Sequence, residues 1–102
     1  VHVTIEGRRA EISELCRQVG VRRLDVFGSA AGGGFDETTS DVDFVVDFAG
    51  ETGFDYFDAY FSLKEGLEAI LGRPVDLVTR SSIENPYFRE SVEQSQELIY
   101  AA

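Results

Sequence analysis

Two aspartates stand two residues apart in Asp41-Val42-Asp43, at the head of a run in which Val42, Phe44, Val46 and Phe48 alternate with Asp41, Asp43, Val45 and Asp47. On a strand, residues two apart point to the same face, roughly 6.5 Å from each other along the chain. Two carboxylates held that close repel each other and do not belong in an apolar core. A hard dication between them removes the conflict, and magnesium takes carboxylate oxygens while keeping waters that a substrate phosphate can displace. The competing reading is a half-exposed strand with a charged outer face. A second feature, Gly28-Ser29, opens a glycine-rich stretch that runs to Gly34. Glycine lets backbone N–H groups approach a phosphate closely, and the Ser29 hydroxyl adds a donor; in isolation the same pair makes an ordinary turn. Asp76 is the third feature, in Pro74-Val75-Asp76-Leu77-Val78. Its neighbours Val75 and Leu77 point away, so it shares a face with Val78, an odd place for an unpaired charge. If this strand lies beside the Asp41 strand, Asp76 completes a three-carboxylate cluster; otherwise a salt bridge to Arg73 or Arg80 answers its charge.

These residues need elements to position them. Residues 6–19 predict a helix, with Ile12, Leu15, Cys16 and Val19 on one apolar stripe and Gly20 as its stop. Arg23 to Phe27 predicts a strand, Asp36 to Ser40 a solvated loop, and Asp41 to Phe48 the clearest strand of the chain. Residues 54–71 predict a second helix, whose Phe57, Tyr60, Phe61, Leu67, Ile70 and Leu71 can share one broad face. The aromatic group Phe54, Tyr56, Phe57, Tyr60 and Phe61 reads as core, with surplus rings, Tyr56 above all, available for a partner interface. Val75 to Thr79 predicts a third strand. Asn85-Pro86 predicts an N-cap and first helical residue, with the helix running to about Gln96 and a short strand over Leu98 to Tyr100. The order predicts a single α/β (α+β) domain over residues 1–102, with one small mixed sheet and helices packed on one face.

Composition narrows the class. Nineteen acidic against nine basic residues give a net charge of −10. Duplex binding draws most of its affinity from phosphate contacts with a basic surface, so direct nucleic-acid binding is not expected. A nucleoside triphosphate remains possible where metal supplies the positive charge, and a basic protein partner suits the surface. The lone cysteine, Cys16, excludes an internal disulfide and a cysteine-based zinc site, and fits a reducing, cytoplasmic setting. The only histidine, His2, removes most hydrolase chemistry. No apolar run approaches the ~20 residues needed to span a bilayer, and no leader pattern opens the chain.

Taken together, Leu24-Asp25-Val26-Phe27-Gly28-Ser29, then Ser40-Asp41-Val42-Asp43-Phe44-Val45-Val46, then Gly72-Arg73-Pro74-Val75-Asp76-Leu77-Val78-Thr79 and the ending Ile99-Tyr100-Ala101-Ala102 resemble the minimal nucleotidyltransferases of the DNA polymerase beta superfamily. The resemblance implies a nucleotidyltransferase fold. It implies that Gly28 and Ser29 bind the triphosphate of ATP, that Asp41 and Asp43 hold two magnesium ions, and that Asp76 assists as a third metal ligand or takes the acceptor's proton. It further implies a helical HEPN toxin as partner, neutralised by adenylylation of a tyrosine. Many relatives carry an arginine early in the helix after the glycine-serine pair, where this chain has Gly32, and the spacing from Ser29 to Asp41 is one residue longer than in many close relatives. Other readings stay open: a non-catalytic antitoxin, nucleotidyl transfer to a small molecule or to RNA ends, and a plain acidic structural domain.

Overall fold

The computed structural model describes residues 3–28, 41–50 and 54–102. The elements are α1 (Val3–Glu6), α2 (Arg9–Val19), β1 (Val21–Phe27), β2 (Val42–Phe48), α3 (Phe54–Leu71), β3 (Val75–Thr79), a 3₁₀ turn (Arg80–Ser82), α4 (Pro86–Ser95) and β4 (Glu97–Ala101). Among the described residues they build one four-stranded sheet in the order β3-β2-β1-β4. β1 runs antiparallel to β2 and to β4, and β2 runs parallel to β3 with α3 as the crossover. The expected mixed sheet is therefore present.

Most element bounds match the sequence pattern, with one break. The expected helix over 6–19 is two helices. Gly7 weakens helical preference, Arg8 leaves the helix at φ −116°, and its N–H closes a tight turn on the Ile5 carbonyl at 3.0 Å. The break turns α1 so that Ile5 enters the core. Gly20 ends α2 in the left-handed conformation, its N–H bonded to the Cys16 carbonyl. Asn85 caps α4 as expected, its Oδ1 accepting from the N–H groups of Tyr87 at 2.8 Å and Phe88 at 3.3 Å, with Pro86 at the first turn.

The main core lies between one sheet face and helices α2 and α3. Leu24, Val26, Val42, Phe44, Val46 and Leu77 meet Ile12, Cys16, Leu63, Leu67 and Leu71 there. Burial pushes the Cys16 thiol up to about 12, which makes it a core residue without thiolate character. Gly66 sits inside α3, where glycine costs roughly 0.5–1 kcal/mol against alanine. A β-carbon there would come within 2.6 Å of Leu15 Cδ2, so the position lets α2 close onto α3. The buried stripe of α3 is Leu63-Leu67-Leu71. Phe57 and Phe61 are exposed, so the expected aromatic core face is a surface in its outer half.

Helices α2 and α3 pack on one face as expected, but the second face is not left bare. Val92 of α4 and Ile83 cover Phe27 and Val45 there, and Phe88 meets Phe27 edge-on at 6.0 Å. That second face carries the acidic residues. Among the described residues, no helix is long and apolar enough to cross a membrane.

Candidate active site

The ladder registers bring the sequence-predicted aspartates together. Phe27 is opposite Asp43 across the β1–β2 pair, and Asp43 is opposite Asp76 across the parallel β2–β3 pair. Opposed residues share a face, so Phe27, Asp43 and Asp76 form one row across three strands, on the side turned away from α2 and α3. Asp41 lies just before β2, exposed and two residues from Asp43. Asp43 is half-buried, and its carboxyl is held above the ordinary carboxylate range. Lost hydration is the first cause, followed by the negative charges of Asp76 and Asp41.

An oxygen-only donor set of this kind suits a hard dication and not zinc or copper. Among the described residues, no three acidic, histidine or cysteine side chains close around a single point as a ready-made metal cage. The arrangement is instead an open group of like charges. That fits magnesium, which keeps several waters and takes the rest of its shell from substrate phosphate.

Gly28 follows β1 directly, with φ +73°. A β-carbon on it would stand 2.8 Å from Asp43 Oδ2. Only glycine therefore lets this backbone lie against the Asp43 carboxylate. The Gly28 N–H donates to Ser95 Oγ at 3.2 Å, and the Ser95 hydroxyl donates to the Ser91 carbonyl at 3.0 Å. This N–H is thus engaged by α4. Ser29 and Gly32 lie outside the described residues.

Two charged groups near the row escape a motif-level reading. Asp25 is fully buried on the acidic face, held by Arg23 through Nε at 2.7 Å and Nη2 at 3.0 Å, and by Arg80 Nη2 at 3.4 Å. Arg80 Nη2 also donates to Gln96 Oε1 at 3.0 Å. Arg80, weighed above as a partner for Asp76, is therefore committed to Asp25. The spacing of Arg23 and Asp25, two apart on a strand, is the signal that pairs them. Lys64 of α3 bonds Glu68 at 3.0 Å, and Glu68 also accepts the Val75 N–H at 3.1 Å. The Glu68 carboxylate, and more weakly Tyr60 and Asp76, hold the Lys64 ammonium above its usual range.

The comparisons with known proteins converge on one family. A family model described as nucleotidyltransferase domain matches residues 9–99. MJ1379 of Methanocaldococcus jannaschii, assigned as a protein adenylyltransferase, is 45% identical over 80 residues, covering 78% of this chain and 76% of that protein. A solved structure assigned as a minimal nucleotidyltransferase superposes with a TM-score of 0.75 at 36% identity, covering 92% of this chain and 91% of that one. The same fold occurs in the complex of a tri-AMPylated Shewanella oneidensis HEPN toxin with its MNT antitoxin, at a TM-score of 0.65 and 20% identity over 95% of this chain and 72% of that chain. With the family match running from α2 into β4 and the acidic pair lying across β2 and its edge neighbour β3, the chain belongs to the nucleotidyltransferase domain family.

Proposed function

We propose that this chain transfers AMP from ATP to a tyrosine hydroxyl of a HEPN toxin in a magnesium-dependent reaction in the cytoplasm, and so acts as the toxin's antitoxin. The observation that carries the reading is the pairing of Asp43 with Asp76 on one sheet face, with Asp41 close enough for its charge to act on Asp43 and the Gly28 backbone against Asp43. Support comes from the relative assigned as a protein adenylyltransferase and from the AMPylated HEPN toxin seen with an MNT antitoxin of this fold.

Asp41, Asp43 and Asp76 are the residues that would hold magnesium. When bound, the metal offsets the crowded negative charge of carboxylates and triphosphate and makes the acceptor hydroxyl more acidic. Ser29 and the glycine-rich backbone after Gly28 hold the β- and γ-phosphates. The acceptor oxygen forms a bond to the α-phosphorus while the bond to the bridging oxygen breaks, and pyrophosphate leaves with that electron pair. The hydroxyl proton passes to Asp76 or to water. Catalysis on this scheme is positioning and charge neutralisation, as in phosphoryl transfer generally.

The test is incubation with labelled ATP, Mg²⁺ and the product of the neighbouring gene, followed by mass spectrometry of both chains. An AMP-sized gain on a partner tyrosine, absent with Asp43→Ala, is the expected result. A stable complex with no gain under any nucleotide overturns the transferase reading in favour of neutralisation by binding alone, which Gly32 in the arginine position would suit.

A further inference from the structure

A cavity of about 360 Å³ opens along the outer edge of β3, lined by Phe57, Tyr60 and Phe61 of α3, Val78 and Thr79 of β3, and Ser82. Two of these rings are unusually exposed for phenylalanine, Phe57 at 64% and Phe61 at 52%. They are also braced: Tyr56 meets Phe57 edge-on at 6.2 Å, and Tyr60 meets Phe61 at 5.2 Å. The Tyr60 hydroxyl donates to the Leu77 carbonyl at 2.6 Å, which fastens this half of α3 to the strand. A fixed aromatic pair beside a sheet edge that no other strand joins among the described residues is a preformed apolar anchor site, and such exposed clusters mark interfaces. The groove adjoins the acidic row. Val78 lies two residues beyond Asp76, on the same face and roughly 6.6 Å along the strand.

The charge around the groove selects its occupant. Asp58 follows Phe57, Glu84 follows the 3₁₀ turn, and Asp76 precedes the lining stretch of β3; all three are exposed. The neighbouring cations are turned elsewhere, Lys64 to Glu68 and Arg80 to Asp25 and Gln96. An apolar lining whose sequence neighbours are exposed acids, on a chain of net charge −10, matches a protein surface with an apolar anchor and basic flanks.

We infer that this groove docks the acceptor protein itself, which seats an apolar side chain between Phe57 and Phe61 and so delivers its hydroxyl to Asp76. The inference rests on the proposed function in one respect, that the acceptor is a protein. Both phenylalanines are exposed, so their replacement leaves the core intact.

The experiment compares wild type, Phe57→Ser/Phe61→Ser, Phe61→Glu and, as a control on α4, Tyr87→Ser, which replaces another exposed aromatic. Each is measured for Kd with the product of the neighbouring gene, for Mg²⁺-ATP binding, and for AMP transfer at varied partner concentration. The groove variants are expected to weaken partner binding at least tenfold and to raise KM for the partner, with Mg²⁺-ATP binding and the Tyr87→Ser control unchanged within twofold. Wild-type partner affinity in the groove variants overturns the inference, as does an equal loss in Tyr87→Ser or no binding by wild type at all. If wild type binds the partner but transfers no AMP, the proposed function fails while the Kd comparison still decides the groove.

Discussion

Gly28 and Asp43 are in mutual contact by virtue of what Gly28 lacks: any β-carbon at position 28 would sit 2.8 Å from the Asp43 carboxylate oxygen, in a backbone conformation of φ +73° that other residues rarely adopt. Gly28→Ala therefore meets two penalties, a strained φ and a displaced carboxylate. The strained backbone alone costs on the order of 1–3 kcal/mol. The expected outcome is a Tm lower by several degrees and nucleotidyl transfer reduced at least tenfold. Thermal melts alongside the transfer assay check it; unchanged activity would show that Asp43 needs no fixed position.

Ser95 reaches the same backbone from the far end of the chain, accepting the Gly28 N–H at 3.2 Å. Ser95→Ala removes that acceptor from a part-buried amide. A lost hydrogen bond of this kind is worth roughly 0.5–1.5 kcal/mol. If the bond orders the entry to the phosphate-binding stretch, KM for ATP rises about two- to tenfold with kcat little changed, and Ser95→Thr restores it. A fall in kcat alone would place the role of Ser95 elsewhere.

Asp43 ties stability to pH. Its folded carboxyl titrates above the ordinary aspartate value of 3.8 expected of the unfolded chain, because burial and the charges of Asp76 and Asp41 oppose ionisation. Between 3.8 and the raised folded value, the folded state binds more protons than the unfolded one. The contribution of this group to stability therefore falls as pH rises through that window and stays low at neutral pH. Asp43→Asn removes the penalty, so it is expected to melt a few degrees above wild type at pH 7, with the gap closing towards pH 4. Mg²⁺ is expected to raise the wild-type Tm and to have far less effect on Asp43→Asn. Activity of the variant should fall by several orders of magnitude. Melting curves across pH, with and without Mg²⁺, test the sign directly.

Arg23 holds the one buried charge of the described sheet, Asp25, in a two-point contact. Removing one partner of a fully buried pair costs about 3–5 kcal/mol. Arg23 is half-exposed and Arg80 remains at 3.4 Å, so Arg23→Ala should cost less, about 2–3 kcal/mol. Denaturant titration reads this directly. A change below about 0.5 kcal/mol would mean that Arg80 alone answers the charge.

The sequence pattern carried the strands and the acidic residues because period-two alternation fixes which side chains share a face. Asp41, Asp43 and Asp76 were identifiable for that reason, as was the Asn85 cap from its chemistry. The register that sets Asp43 opposite Asp76 was not readable, since it depends on which strands become neighbours. Ser95 was equally hidden, because its contact with Gly28 joins chain segments with no shared motif. Tyr56 and Tyr60 pack against the core as the aromatic pattern predicts, but Phe57 and Phe61 were misjudged for a different reason. These two rings carry the same apolar signal as Leu63, Leu67 and Leu71, but they lie at the outer edge of β3, where no further described strand covers them. Periodicity identifies an apolar stripe without saying where its cover ends.

The parallel pairing of β2 with β3 has a consequence for how the site comes into being. Asp43 and Asp76 meet only after the chain between them has closed into a crossover, so neither carboxylate has its neighbour in any locally ordered fragment. Such a non-local contact pays its loop-closure entropy before anything favours it. Local helix formation therefore cannot assemble a partial site. Catalytic competence should appear in one step with the completed sheet, and a refolding time course followed by activity should superimpose on one followed by β-sheet signal.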